Sequence, residues 1–335
     1  MMRRPFIVAE LSANHMGRLD RALHLVDCAA DAGADGLKLQ TWSTDAMVGD
    51  PEYVMPDGPW KGRNLRDLYR EAQTPWIWHK AIFGRALKRG LVPFSTPFDI
   101  EALEFLEREV KCEMYKIASF ELVDTHLIKA VARTGKPMLM STGMATFDEI
   151  AMAWQTAYNA GARDITLLKC TSAYPTIATS VNLQAMVTLD RAFGGNSTSV
   201  GISDHTMGSA VAVAATALGA TVVEKHLTLR RAEGGPDSGF SMEPAEFAQM
   251  VHDCRTAAAA IGENRFGPAP GESTTLRRSL WLAKDIAPGE RLTHAHVKTA
   301  RPALGMEPHR ITDVLGKMPI LPYRAGTPIV MGMFT

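Results

Sequence analysis

Ile202-Ser203-Asp204-His205-Thr206 and, further on, Val223-Glu224-Lys225-His226-Leu227 are the stretches that decide the fold. Each is a short apolar run that reads as a β-strand and ends on a histidine. Residues 208–220 between them are rich in glycine and alanine and long enough for one helix. In a parallel β/α barrel all strands open onto the same face, so consecutive strands would set His205 and His226 side by side at the mouth. Imidazole nitrogens suit a divalent transition metal, and two protein ligands leave positions open for water and substrate. Either histidine alone reads as an ordinary hydrogen-bonded side chain; the pairing at equivalent strand ends is what favours a metal.

Outward from these two runs, six more precede them: 6–11, 36–40, 91–96, 114–119, 137–142 and 165–170, with the last two spanning 200–205 and 221–227. They are continuously apolar rather than alternating, as in parallel strands covered on both faces. Helical patterns such as 19–32 and 100–108 fit between them, and Ala32-Gly33-Ala34 and Asn159-Ala160-Gly161-Ala162 read as helix stops. Eight such units predict a TIM (β/α)8 barrel. A doubly wound sheet stays open, because periodicity does not decide closure. Residues 41–74 form a long connection with Gly and Pro clusters, expected to be a lid. Residues 246–261 read as the last barrel helix, and 287–290 and 324–327 as tight turns in a β-rich tail with little core of its own. The expected division is 1–262 for the barrel, 263–275 for a linker and 276–335 for the tail.

The 335 residues carry no net charge and no long basic block, which argues against a nucleic-acid or anionic-membrane partner. Cys28, Cys112, Cys170 and Cys254 are scattered and read as buried thiols of a reducing compartment. Arg3 and Arg4 precede an apolar run, but Glu10 interrupts it too early for a signal peptide. With no uncharged apolar stretch of about 18 residues, the expected location is the cytoplasm.

Polar residues collect where the strands end: Glu10, Lys38, Gln40, Ser95, Thr96, Lys116, Ser119, Ser141, Thr142 and Lys169, besides the two histidines. Lys38, Lys116, Lys169 and Lys225, with Thr96, Ser119, Ser141 and Ser203, are expected to line one cavity suited to a small dianion such as a phosphate ester. Glu121 and Glu224 offer carboxylates for proton transfer or for orienting a ligand histidine. Asp237, after the Gly234-Gly235 pair, is a candidate polar contact. No phosphate-binding glycine loop of the nucleotide type is present.

Several of these residues lie in motifs that resemble the sialic acid synthase family. They are Ala9-Glu10-Leu11-Ser12-Ala13-Asn14-His15, Lys38-Leu39-Gln40, Ser95-Thr96-Pro97-Phe98, Tyr115-Lys116-Ile117-Ala118-Ser119-Phe120-Glu121, Ser141-Thr142-Gly143-Met144, Ser203-Asp204-His205-Thr206 and Glu224-Lys225-His226. The tail, with Arg301-Pro302 and Gly326-Thr327-Pro328, resembles that family's antifreeze-like (SAF) domain. The resemblance implies condensation of phosphoenolpyruvate with an open-chain amino sugar, a divalent metal that is typically Mn2+ with Mg2+ or Co2+ as substitutes, and a domain-swapped homodimer. It implies phosphate contacts from Lys116, Thr96, Ser119, Ser141 and Ser203, a carboxylate contact from Lys38, and His205 and His226 on the metal. It places Glu121 at the reacting centre, and Gln40, Tyr174, Glu224, Asp237 and Arg301 on the sugar, Glu224 and Asp237 alternatively in the metal shell. Leu168-Lys169-Cys170-Thr171-Ser172-Ala173-Tyr174-Pro175 and Gly234-Gly235-Pro236-Asp237-Ser238-Gly239-Phe240-Ser241 look most like the branch that makes pseudaminic acid from 2,4-diacetamido-2,4,6-trideoxy-altrose, with neuraminate and legionaminate synthases as alternatives. Met16 departs from the pattern, since a thioether cannot replace an acidic or amide contact. Two rival readings remain at this point: a Schiff-base aldolase using Lys116 or Lys169, and a sugar-binding module without turnover.

Overall fold

A computed structural model describes residues 4–195 and 197–335, so Arg3 lies outside the described residues. The chain divides into two units, Met1–Glu263 and Asn264–Thr335. In order, the first holds β1 (Phe6–Glu10), α1 (Leu19–Asp31), β2 (Gly36–Thr41), α2 (Thr44–Met47), α3 (Leu65–Ala72), α4 (His79–Lys88), β3 (Val92–Pro97), α5 (Ile100–Phe105), β4 (Tyr115–Ile117) and α6 (Thr125–Arg133). It continues with β5 (Met138–Ser141), α7 (Phe147–Asn159), β6 (Ile165–Cys170), α8 (Gln184–Phe193), β7 (Thr198–Asp204), α9 (Ala210–Ala217), β8 (Val222–His226) and α10 (Pro244–Ile261). Each strand pairs in parallel with the next, and β8 returns to β1 from Phe6↔Val222 to Glu10↔His226. The barrel is therefore closed, and the doubly wound alternative is excluded. Helix α1 stops where Gly33 takes a φ of +84°, a conformation that costs glycine little.

Side chains alternate between the barrel interior and the helix layer, and this two-residue period sorts the polar strand ends. Glu10, Lys38, Thr96, Lys116, Ser203 and Glu224 turn inward and bond to one another. Their neighbours turn outward. Ser95 Oγ meets Thr41 Oγ1 at 2.6 Å, and Thr41 Oγ1 meets His79 of α4 at 2.8 Å. The single cavity expected to hold four lysines is corrected accordingly. Lys169 Nζ donates to the Cys170 carbonyl at 2.6 Å and lines a separate hollow with Phe147 and Leu189. Lys225 is fully buried outside the interior, with its Nζ 2.6 Å from Asp204 Oδ2 and 2.6 Å from the Thr206 carbonyl.

The Lys225–Asp204 pair ties β7 to β8 one residue away from each histidine. Removing one partner of such a pair leaves a buried charge uncompensated, at a cost of about 3–5 kcal/mol. Lys225→Met is expected to lower the stability measured by urea unfolding by about that amount, and the double variant Asp204→Leu/Lys225→Met to recover most of it. A single variant as stable as the parent would contradict this.

The connection expected to be a lid contains α2 and α3. Ser43 and Asn64 side chains cap α2 and α3 by accepting from the Ala46 and Asp67 amides, and Val54 bridges Asn64. Both helices are too short to show a convincing 3.6-residue pattern.

In the second unit, β9 (Ser279–Leu282) runs antiparallel to β10 (Val297–Ala300). The turn at 287–290 closes with Glu290 N donating to Ala287 O at 3.1 Å, and Gly289 has a φ of +93°, which suits the Pro-then-Gly order. Leu280, Leu282, Ile286, Leu292, Ile329 and Phe334 pack into a core of its own, more than the tail's composition promised. No helix in the described residues is long and apolar enough to cross a membrane.

Candidate active site

Strands β1, β2, β4 and β8 bring two ammonium groups and two carboxylates together on the barrel axis. Lys116 Nζ donates to both Glu224 oxygens at 3.0 Å. Lys38 Nζ contacts Glu10, donates to Thr96 Oγ1 at 3.2 Å and lies 3.6 Å from Glu224. Ser203 Oγ donates to Glu224 at 3.2 Å. All five groups around Glu224 are sequestered from solvent, where unpaired charge is costly, so the equal count of opposite charges is what makes the cluster tenable. Burial would raise the Glu224 carboxyl, but the Lys116 and Lys38 ammonium groups outweigh it and hold it at about 2. Burial pushes Glu10 up to about 7, against the pull of Lys38 and with help from the Glu224 charge.

The sequence reading gave Glu224 to proton transfer, to orienting a ligand histidine, to the sugar or to the metal shell; in the structure its carboxylate pairs with Lys116 and lies near Lys38. Of the remaining hydroxyls, Ser119 Oγ accepts from Gly143 N at 3.1 Å, and Ser141 Oγ is buried with no partner among the described residues. A buried donor of this kind is ready for an oxyanion.

His205 and His226 do stand together, with ring centroids 5.3 Å apart. His205 Nδ1 lies 2.9 Å from the Thr171 carbonyl. A carbonyl only accepts, so this contact fixes a proton on Nδ1 and makes Nε2 the nitrogen that would carry a lone pair. Burial lowers the His205 ring, but Cys170, the Thr171 carbonyl and Glu224 outweigh it and raise it above its ordinary range. His226 Nδ1 is buried with no partner among the described residues. Burial, then the charges of His205 and Lys38, hold the His226 ring far below its ordinary range, and hence neutral. A neutral imidazole beside the Nε2 of a second ring fits a metal supplied by two protein ligands. Among the described residues no group of three or more His, Cys, Asp or Glu side chains is set to hold one.

Above the charged floor lies a cavity of about 270 Å³. Gln40, Tyr174, His226 and Asp237 all line it, so four of the residues expected at the site converge there. Asp237 is buried and bonded to the Ser12 hydroxyl; burial raises its carboxyl and the Ser12 bond partly offsets this. Glu121 follows β4, its Oε2 buried without a partner among the described residues, and burial raises it to about 7. Arg301 is exposed at the end of β10 in the second unit.

Three features escaped the sequence reading. Ser12 was seen only as part of a motif, yet its hydroxyl anchors Asp237. Cys170, read as one scattered thiol, puts its Sγ 3.9 Å from His205 Nδ1. The roof of the cavity is aromatic and apolar and comes mostly from residues 42–74, including Trp42, Trp60, Leu65 and Tyr69. Two tryptophans in a polar, Pro- and Gly-rich connection were the available signal.

Comparisons with known proteins bear on the same site. Residues 25–266 match the model of the NeuB family, and residues 277–335 match that of the SAF domain. The chain is 42% identical to pseudaminic acid synthase of Helicobacter pylori, over 98% of this chain and 97% of the relative. It is 34% identical to N,N'-diacetyllegionaminic acid synthase of Campylobacter jejuni, over 96% of this chain and 98% of the relative. Among solved structures it resembles N-acetylneuraminic acid synthetase from Leptospira borgpetersenii in complex with citrate, with a TM-score of 0.72 and 30% identity, covering 80% of this chain and 88% of that one.

Proposed function

This chain belongs to the NeuB family, and from that membership we propose that it condenses phosphoenolpyruvate with open-chain 2,4-diacetamido-2,4,6-trideoxy-altrose to form pseudaminic acid and phosphate. The observation that carries the reading is one buried cluster of Lys38, Lys116, Thr96 and Ser203 at the strand ends, together with two adjacent imidazoles, of which His226 lines a sugar-sized cavity.

Lys116, Thr96, Ser119, Ser141 and Ser203 hold the phosphate in this proposal, and Lys38 the carboxylate. Without substrate, Glu224 pairs with both lysines: burial lowers Lys116 and Glu224 partly offsets this, whereas Glu10 and Glu224 outweigh burial at Lys38 and raise it. An arriving trianion shares those lysines, and the hydroxyls of Ser141 and Ser203 supply oriented donors. His205 and His226 would hold a divalent cation, Mn2+ with Mg2+ or Co2+ as substitutes, which when bound supplies Lewis-acid polarisation of the sugar aldehyde. The enol carbon forms a bond to the aldehyde carbon, whose oxygen takes up a proton. Water adds at the phosphate-bearing carbon, and the C–O bond to phosphate then breaks. Glu121 titrates near neutrality and so can give or take the proton this sequence needs. Gln40, Tyr174 and Asp237 orient the sugar. We extend the proposal to a cytoplasmic, domain-swapped homodimer in which Arg301 reaches the sugar bound by the other subunit.

A Schiff-base aldolase fits less well: Lys169 faces the helix layer, and Lys116 is gripped by both oxygens of Glu224. The test is phosphate release with phosphoenolpyruvate and a panel of amino sugars, with the product identified by mass and NMR. Release that needs both substrates and gives pseudaminic acid is the expected result. Turnover of the neuraminate or legionaminate precursor instead of the altrose sugar would transfer the chain to that branch. Irreversible trapping by borohydride with a carbonyl substrate would end the synthase reading.

A further inference from the structure

The cavity is lined by groups of two kinds. Strand ends and the loop after β8 supply its polar groups: Gln40, Ser12, Asp237 and His226. The connection after β2 presents Met55, Trp60, Leu65, Leu68 and Tyr69 to the same cavity. Met55, Leu65 and Leu68 carry no side-chain N–H or O–H group; the hydrogen-bonding groups this connection brings to the cavity are the Tyr69 hydroxyl and the indole N–H groups of Trp42 and Trp60. The Trp60 indole N–H is already used, donating to the Pro236 carbonyl at 2.8 Å, and the ring lies 5.6 Å from Tyr174. Trp60 is thus tied on one edge to the loop that carries Asp237, while its face remains for the cavity.

The face of Trp60 with Leu65 and Leu68 takes methyl groups and refuses hydroxyls. A fully hydroxylated sugar would strand a hydroxyl against it, and a desolvated hydroxyl without a partner is expensive. Resting on the function proposed above, we propose that Trp60, with the Leu65–Leu68 ledge, is the specificity-determining element that reads the apolar groups of the sugar, its deoxy methyl and acyl methyls, and selects against a congener hydroxylated at the deoxy carbon. Polar residues of the strand ends orient the sugar; the connection after β2 chooses it. A hydrophobic pocket discriminates against an added hydroxyl by up to about a hundredfold, and that is the range in which the selection falls.

The experiment compares kcat/KM for 2,4-diacetamido-2,4,6-trideoxy-altrose and for its 6-hydroxy counterpart, with phosphoenolpyruvate saturating, in the parent, Trp60→Ala and Leu65→Asn. Trp60 and Leu65 are only partly buried, so both variants keep the barrel core intact. The parent is expected to prefer the deoxy sugar by roughly tenfold to a hundredfold. Trp60→Ala should lose most of that preference by losing the deoxy sugar, with the KM for phosphoenolpyruvate within about twofold of the parent's. Leu65→Asn should narrow the gap from the other side by admitting the hydroxylated sugar. Equal losses on both sugars in Trp60→Ala, or a parent without preference, would overturn the inference while leaving the synthase reading intact. Absence of phosphate release from the parent with either sugar would remove both.

Discussion

Lys116→Ala should lower kcat/KM for phosphoenolpyruvate by two to three orders of magnitude and leave the sugar's KM far less affected. The size follows from what the substitution leaves behind. Lys116 is the closest counter-charge of Glu224, meeting both of its oxygens. Without it, a buried carboxylate keeps only Lys38 at 3.6 Å and the Ser203 hydroxyl. Breaking a buried pair in this way costs about 3–5 kcal/mol of stability. Losing a buried charged contact to the bound phosphate costs about 3–4 kcal/mol of transition-state stabilisation, within the range of such losses, and each 1.36 kcal/mol is about a factor of ten. The same carboxylate then faces an incoming phosphate with nothing between them. Adding Glu224→Gln to Lys116→Ala should therefore restore urea stability and part of the phosphoenolpyruvate affinity, but not turnover. Arginine cannot substitute cleanly, because its planar fork replaces a compact ammonium in a space already filled by Lys38, Ser203 and Glu224. Steady-state kinetics with each substrate varied in turn would decide the matter. Equal damage to both substrates would contradict a phosphate role for Lys116.

The contrast between Lys116 and Lys225 shows where the sequence stops informing. Both are lysines in apolar strand runs, and both read as cations of one cavity. Only the register separates them: Glu224 and His226 share a face of β8, and Lys225 takes the other. A run that is apolar on both faces hides that phase, because a parallel strand covered by helices has no solvent side to mark it. Strand number and order were legible for the same reason in reverse, since long apolar runs separated by helix stops repeat regularly. Closure was not, as it depends on the pairing of Phe6–Glu10 with Val222–His226, at the two ends of the unit. The pairing of His205 with His226 could be read from equivalent strand ends alone. That Glu224 grips the lysines could not, because a carboxylate beside a histidine in sequence points as readily to the metal as to a cation. The cavity roof was hidden for a different reason: α2 and α3 are short and defined by their Ser43 and Asn64 caps, not by periodicity.

His226→Ala is expected to remove metal-stimulated turnover, a loss of at least about a thousandfold given the several kcal/mol that a Lewis acid contributes, with the barrel still folded. The fold should tolerate the change because the ring makes no stabilising hydrogen bond through Nδ1, which is buried without a partner among the described residues. What is lost is packing, chiefly against Phe240 at 5.1 Å between centroids and against His205 at 5.3 Å. His226→Gln, closer in volume, separates that packing loss from the loss of a ligand. Binding itself gives the second readout. A metal that binds only the native state at 100 times its Kd adds about 2.7 kcal/mol of stability, so Mn2+ should raise the parent's Tm and leave that of His226→Ala unchanged. His205→Ala should behave alike, with one distinction. Its Nδ1 holds the Thr171 carbonyl, so this variant also frees the chain after β6 and should lose Tm without metal, where His226→Ala does not. Retention of the Mn2+ shift in His226→Ala would take that residue out of the ligand set, and retention in both variants would move the metal away from this pair of strands altogether.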